Sequence, residues 1–117
     1  MFKRMDKDFI FDMLSACENI LEYTQGFTYE EFKNNKIVVD AVIRNIEILG
    51  EAAKKVSDEL KEKYNTVKWR DISRTRDKII HFYFGVSVSI IWDIVSIDIP
   101  ALKEKLEAIV KLENWEE

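Results

Sequence analysis

Turn-forming residues and cysteine are scarce in this chain of 117 residues, which contains three glycines, one proline and one cysteine. Folds rich in β-strands need turn residues about every 8 to 12 positions, so this scarcity predicts an almost entirely helical chain. A single cysteine excludes an internal disulfide and any zinc site built on a cysteine pair. No apolar run approaches the ~18 to 20 residues that a membrane span requires. The sequence therefore predicts an all-α protein without a membrane segment.

Length and composition predict a single domain over residues 1–117, located in the cytoplasm. The 47% hydrophobic and 34% charged residues are typical of a globular protein. Asp6, Asp8 and Asp12 interrupt the N-terminal region, which argues against a signal peptide. Cys17 falls on the apolar face of the first predicted helix, where a buried thiol is favoured over a reactive one.

The apolar spacing predicts an up-and-down bundle of four to five helices. The first helix is predicted over Asp6–Thr24 and ends at Gly26, which suits the left-handed position after a helix. A capping box at Thr28 starts a short helical turn. The longest helix is predicted from about Asn35 to Val56, with weaker helical character over Ser57–Tyr64.

The second half of the chain is expected to begin with an irregular turn. Trp69–Ile72 is predicted to form this turn, and a helix follows over Ser73–Phe84. Ser87 is expected to cap the next helix. Asp98 is expected to cap the last helix, with Pro100 in its first turn.

The longest helix carries two apolar stripes. One stripe contains Val39, Val42, Ile46, Leu49, Ala53 and Val56, and the other contains Val38, Ala41, Ile48 and Ala52. A helix with two apolar stripes must be covered on both sides. In so small a protein, one cover could be a second subunit, so the pattern permits a homodimer.

A cationic segment stands out in a chain whose net charge is −4. Between Lys68 and Lys78, five cations face two carboxylates, so the segment carries +3 and the rest of the chain −7. The five cations are Lys68, Arg70, Arg74, Arg76 and Lys78. A local cationic patch on an acidic protein can bind phosphate at one place without general affinity for nucleic acid.

The only histidine, His81, follows this segment closely. Asp77 precedes it by four residues, a helical spacing that allows a hydrogen bond to the imidazole. Histidine can move the proton of an RNA 2′-hydroxyl, and Arg76 could stabilise the charge that develops on phosphorus. A purely structural role for His81 is the alternative that the residues alone leave open. Two copies of the chain would supply the second histidine that metal-free RNA cleavage needs.

Other candidate sites are weaker. Tyr83, with Phe82 and Phe84, is better explained as a core or interface aromatic than as a platform that stacks on bases. One histidine and scattered helical carboxylates predict no metal site and no cofactor. Glu47 and Glu51 lie four residues apart on one helix and are interpreted as solvated or ion-paired.

The stretch from Arg76 to Tyr83, RDKIIHFY, resembles the R-x-x-x-x-H-x-Y motif of HEPN-domain proteins. Residues 40–53, DAVIRNIEILGEAA, are similar to a helix typical of the HepT-like branch of that family. The HepT-like branch also has sequences similar to three further segments of this chain, Trp69–Ile72, Tyr83–Trp92 and Asp98–Pro100. The motif is preceded by Arg74 and Thr75, where many relatives have a glycine and an apolar residue.

This resemblance implies a homodimeric α-helical bundle whose two motifs face a shared cleft. It implies a metal-independent ribonuclease toxin with catalytic Arg76 and His81, supported by Asp77. The flanking cations Arg70, Arg74 and Lys78 are then expected to bind RNA. The partner implied is a nucleotidyltransferase antitoxin of the MNT type, which attaches AMP to Tyr83. A non-catalytic module that docks this nucleotidyltransferase is the competing hypothesis.

Overall fold

The computed structural model describes residues 4–82 and 87–116, and the side chains of residues 80–82 are not among those described. The helices are α1 (Asp6–Thr24), α2 (Tyr29–Lys33), α3 (Lys36–Lys55), α4 (Asp58–Lys63), α5 (Trp69–Phe82), α6 (Val88–Asp93) and α7 (Ile99–Leu112). A π-helical turn, Ile94–Asp98, joins α6 to α7. No strand occurs in the described part of the chain. The predicted all-α bundle is confirmed.

The four long helices pack in the spatial order α7, α1, α3, α5, so α3 is covered by α1 on one side and α5 on the other. The first predicted stripe of α3 is fully buried. The second stripe is covered less completely, because Val38, Ala41 and Ile48 remain half-buried while Ala52 is buried. Neighbouring helices of the same chain therefore supply part of the cover that could have come from a second subunit.

Local signals fix the first half of the fold as predicted. The Thr28 hydroxyl accepts a hydrogen bond from the Glu31 backbone N–H at 3.2 Å, and the Thr28 N–H donates to the Glu31 carboxylate at 2.9 Å. Gly26 has φ +77°, the left-handed conformation expected after α1. Cys17 is fully buried, and burial raises the pKa of its thiol to about 12. The expectation of a buried thiol is thus confirmed.

Ser57 separates α3 from α4, where the sequence indicated only weakened helix. Its backbone is extended, and its hydroxyl caps α4 by accepting from the Leu60 N–H at 3.2 Å. The Ser57 hydroxyl and backbone N–H also donate to the two carboxylate oxygens of Asp6, at 2.6 and 2.8 Å. These two hydrogen bonds to Asp6 keep the backbone of Ser57 extended, so the helix is interrupted there.

The irregular turn predicted for Trp69–Ile72 is wrong, because α5 begins at Trp69. The Trp69 side chain is buried, and its indole N–H donates to the Tyr64 carbonyl at 3.1 Å. The Ile72 N–H donates to the Lys68 carbonyl at 3.1 Å, which closes the first turn. A buried indole anchored to the preceding loop thus starts the helix earlier than the local sequence indicates.

The capping role predicted for Asp98 is also wrong. Asp98 has helical backbone angles and makes no side-chain capping bond. Pro100 has no N–H to donate to the carbonyl four residues earlier. The backbone just before it, Ile94–Asp98, forms the π-helical turn. The Ile99 N–H donates to the Ile94 carbonyl, five residues back. Ser87 does cap α6 as predicted, since its hydroxyl accepts from the Ser89 N–H at 3.2 Å.

Candidate active site

The candidate site lies where α3 crosses α5, at Gly50 and Arg76. A Cβ atom added at Gly50 would stand 2.2 Å from the Arg76 Cβ, 2.6 Å from its Cγ and 3.4 Å from the Ile72 carbonyl oxygen. Only glycine allows the two backbones to approach so closely. Gly50 therefore sets the position of Arg76 relative to α3.

We expect Gly50→Ala to lower the free energy of unfolding by about 1 kcal/mol and by no more than about 2 kcal/mol. The clash involves the inner atoms of Arg76, so α5 must move, and such overpacking costs about 1–3 kcal/mol. The higher helix propensity of alanine offsets up to about 1 kcal/mol of this cost. Denaturant unfolding measures the change, and the NMR signal of the Arg76 Nε–H reports the displaced side chain.

Gly26→Ala is the matched control. A Cβ at Gly26 meets no atom within 4 Å, but the positive φ strains alanine by about 1–2 kcal/mol. Both variants should therefore lose stability, and only Gly50→Ala should shift the Arg76 signal. A Gly50→Ala protein as stable as the wild type, with an unshifted Arg76 signal, would disprove the close crossing.

Two carboxylates orient the Arg76 guanidinium. Its NH2 atom lies 3.0 Å from the Glu51 carboxylate on α3, and its NH1 atom donates to Asp77 Oδ1 at 3.0 Å. The Arg76 side chain is 24% exposed, so it is held in place yet reachable from solvent. Its Nε atom is buried and has no hydrogen-bond partner in the described part of the chain.

Asp77 is held in turn by Lys54 of α3, whose Nζ donates to the same Oδ1 atom at 2.9 Å. The hydrogen bonds from Lys54 and then Arg76 lower the pKa of Asp77. Asp77 therefore remains a carboxylate at neutral pH and can orient Arg76 there. The four charges of Glu51, Lys54, Arg76 and Asp77 cancel, so we name these residues the α3–α5 ion-pair network.

Arg76 also lines a groove on the α1–α3 side of the molecule. The groove has a volume of about 370 Å³, and its other lining residues are Arg4, Phe9, Asp12, Arg44, Glu47, Ile48, Glu51, Ala52 and Lys55. Ion pairs join Arg4 to Asp12 at 2.8 Å and Arg44 to Glu47 at 3.3 Å. Arg76 thus borders a groove whose three carboxylates, Asp12, Glu47 and Glu51, already have cationic partners.

The structure brings together some predicted site residues and separates others. Arg76 and Asp77 are in contact, whereas Arg70, Arg74 and Lys78 lie exposed at four-residue intervals along α5. The backbone of His81 belongs to α5, but its side chain and all of Tyr83 lie outside the described residues. The proposed hydrogen bond between Asp77 and His81 stays a prediction.

Gly50 and Lys54 are the site residues that sequence reasoning missed. The expectation that Glu47 and Glu51 are solvated or ion-paired, in contrast, is confirmed by their pairs with Arg44 and Arg76. A glycine inside a long helical pattern is a sign of close packing, and that signal was available at Gly50. Nothing in the local sequence pairs Glu51 or Lys54 with residues more than 20 positions away. No group of three or more His, Cys, Asp or Glu residues arranged to hold a metal ion occurs within residues 4–79 and 87–116. No helix in the same part of the chain is long and apolar enough to cross a membrane.

Residues 13–109 match the family model described as ribonuclease HepT-like. The chain belongs to the HepT-like ribonuclease family. The matched stretch includes the α3–α5 ion-pair network, the exposed cations of α5 and His81. The resemblance read from the motif and from α3 is therefore confirmed at the level of the family.

Two curated relatives match over nearly the full length of this chain. "Putative RNase MJ0125" of Methanocaldococcus jannaschii is 41% identical over 111 residues, which are 95% of this chain and 96% of that protein. "Probable ribonuclease HepT" of Thermococcus cleftensis is 43% identical over 109 residues, 93% of this chain and 99% of that protein. No solved structure matches the chain.

Proposed function

We propose that this HepT-like protein is a metal-independent endoribonuclease and the toxin of a toxin–antitoxin pair. The observation that carries the proposal is the oriented guanidinium of Arg76, held by Glu51 and Asp77 within the stretch that matches a ribonuclease family. An arginine fixed before substrate arrives is suited to stabilising charge that develops on a phosphate.

In the proposed reaction, His81 removes the proton of an RNA 2′-hydroxyl and the 2′-oxygen attacks the adjacent phosphorus. The bond from phosphorus to the 5′-oxygen breaks, and that oxygen leaves with a proton. A guanidinium has five N–H donors, so Arg76 can contact the phosphate while it remains bound to both carboxylates. The products are a 2′,3′-cyclic phosphate and a 5′-hydroxyl.

A homodimer would supply the second acid–base group. One histidine per chain cannot serve as both base and acid at the same moment, whereas two chains facing a shared cleft bring two histidines and two arginines. The groove lined by Arg76 and Glu51 is a surface from which such a cleft could be assembled.

Cleavage of RNA by the purified protein, free of its partner, should persist in excess EDTA. The proposed chemistry uses an imidazole and a guanidinium and needs no metal-bound water. The measurement is the rate of cleavage of a labelled single-stranded RNA with EDTA and with added Mg²⁺ or Mn²⁺. A metal-dependent nuclease assayed in the same buffers is the control. Activity that vanishes in EDTA and returns with a divalent ion would disprove metal independence.

The proposed antitoxin is an MNT-type nucleotidyltransferase that modifies Tyr83. The tyrosine oxygen attacks the α-phosphate of ATP, an oxygen–phosphorus bond forms, and pyrophosphate leaves. Tyr83 follows Arg76 by seven residues, a spacing that places two residues on one face of a helix. AMP attached there would bring a phosphate and a purine towards the guanidinium that RNA needs.

One observation favours the competing hypothesis of a non-catalytic module that docks the nucleotidyltransferase. The α3–α5 ion-pair network is electrically neutral, since Glu51 and Asp77 balance Arg76 and Lys54. Such a network could serve only to lock α5 onto α3. The cleavage assay separates the two hypotheses, because a docking module would cut no RNA in either buffer.

A further inference from the structure

A second groove on the described residues lies between α4 and the start of α5, and it shares no lining residue with the groove lined by Arg76. We name it the α4–α5 groove; its volume is about 760 Å³. Its lining residues are Lys54, Asp58, Lys61, Asn65, Val67, Lys68, Trp69, Arg70, Asp71 and Ser73. Only Arg70 among the cations previously expected to bind RNA belongs to it.

The α4–α5 groove is cationic although the protein is acidic. Four cations and two carboxylates line it, which gives +2 in a chain whose net charge is −4. Lys61, Lys68 and Arg70 form no ion pair with any of the described residues. Unpaired cations gathered in one concave surface attract a polyanion.

The groove meets the candidate active site at Lys54. This lysine lines the groove and donates to Asp77, which in turn accepts from Arg76. A chain lying in the groove would therefore reach the α3–α5 ion-pair network at Lys54. The position connects a surface for binding with the arginine proposed to act on phosphate.

The lining of the groove fits a sugar–phosphate backbone better than an acidic peptide. Its two apolar residues, Val67 and Trp69, are only 4% and 8% exposed, so they offer no pocket for an apolar side chain. Peptide-binding grooves usually take their affinity from such anchors. Asn65 and Ser73 add neutral hydrogen-bonding groups between the cations.

We propose that the α4–α5 groove binds the RNA strand on its way to Arg76, with Lys54, Lys61 and Lys68 contacting phosphates beside Arg70. The proposal rests on the ribonuclease function proposed above and extends it to the path of the substrate. Lys61 and Lys68 are the most suitable residues to mutate in a test of the groove, since both lie outside the α3–α5 ion-pair network.

The test compares RNA binding by a double variant, Lys61→Ala with Lys68→Ala, and by a control pair, Lys33→Ala with Lys111→Ala. Lys33 and Lys111 are exposed on α2 and α7 and do not line the groove, so both pairs change the net charge equally. His81→Ala is added to every protein used in the binding measurement to keep the RNA intact, and the same proteins with intact His81 are assayed for binding and cleavage in parallel. Affinity for a fluorescent single-stranded RNA is measured by anisotropy over a range of salt concentrations.

We expect the groove variant to bind RNA on the order of tenfold more weakly than the wild type. The slope of log affinity against log salt concentration should become less negative by about 1.4, because each of the two lost phosphate contacts contributes ~0.7 to the slope. The control pair should keep the wild-type slope. Equal slopes for the two pairs would overturn the groove assignment, whatever the cleavage assay shows. If the protein with intact His81 cuts no RNA but its RNA binding still depends on Lys61 and Lys68, the groove assignment stands and the proposed ribonuclease activity is refuted. An acidic peptide that binds the groove in place of RNA would also overturn the proposal.

Discussion

Arg76→Ala is expected to lower the rate of RNA cleavage by a factor on the order of 10² or more, as loss of a preorganised charge-stabilising group typically does. The same loss is expected for His81→Ala, which removes the acid–base group. Arg76 is held at two points by carboxylates, so its guanidinium is oriented before the substrate binds. A lysine at position 76 keeps the charge but cannot contact Glu51 and Asp77 in this forked way.

The measurement is kcat and KM for a labelled RNA, with Arg74→Ala as the matched control. Arg74 lies two residues before Arg76, is exposed and carries the same charge. Its loss should raise KM with little change in kcat, whereas Arg76→Ala and Arg76→Lys should lower kcat. Glu51 and Asp77 are 48% and 42% exposed, so they can be rehydrated when Arg76 is removed, and the variants should stay folded. A folded Arg76→Ala variant that keeps the wild-type kcat would show that Arg76 has only a structural role.

Tyr83→Phe should abolish transfer of AMP to the protein by the partner nucleotidyltransferase. The variant keeps the aromatic ring and loses the one oxygen that can attack ATP. The measurement is mass spectrometry after incubation with the partner, ATP and Mg²⁺. Wild-type protein should gain the mass of AMP on the peptide that contains Tyr83, and its ribonuclease activity should fall.

The chain contains its own controls for this modification. Tyr23, Tyr29 and Tyr64 are the other tyrosines. The Tyr64 hydroxyl already donates to Glu113 at 2.5 Å, and this hydrogen bond raises the pKa of Tyr64. A phenol held in this way should be a poor nucleophile. AMP found on any of these three tyrosines while Tyr83 stays unmodified would refute the assignment.

Local sequence signals predicted the first half of the fold well because the residues that end or start each helix there act through nearby residues of the sequence. Gly26 ends α1 and Thr28 starts α2 through contacts within a few residues. The errors at Trp69 and Asp98 have a different cause. The start of α5 depends on a buried indole that bonds to the loop before it, and α6 continues into α7 through a π-helical turn.

The candidate site was predictable only in part, for a similar reason. Arg76 and Asp77 belong to one motif, so the sequence places them together. Glu51 and Lys54 join them through the packing of α3 on α5, across 25 and 23 residues of sequence. Gly50 permits that packing. A glycine inside a long helix indicated a close contact, but the structure alone identifies the contact as Arg76, whose Cβ lies 2.2 Å from the position of a Cβ added at Gly50.

Analysis of the RNA ends is the measurement that tests metal-free cleavage most directly. The purified protein would be incubated in EDTA with an RNA and with a DNA of the same sequence, and the product ends identified by mass spectrometry. Attack by the 2′-hydroxyl predicts a 2′,3′-cyclic phosphate on one fragment, a 5′-hydroxyl on the other, and intact DNA. Fragments that begin with a 5′-phosphate, or cleavage of the DNA, would contradict a reaction built on His81 and Arg76.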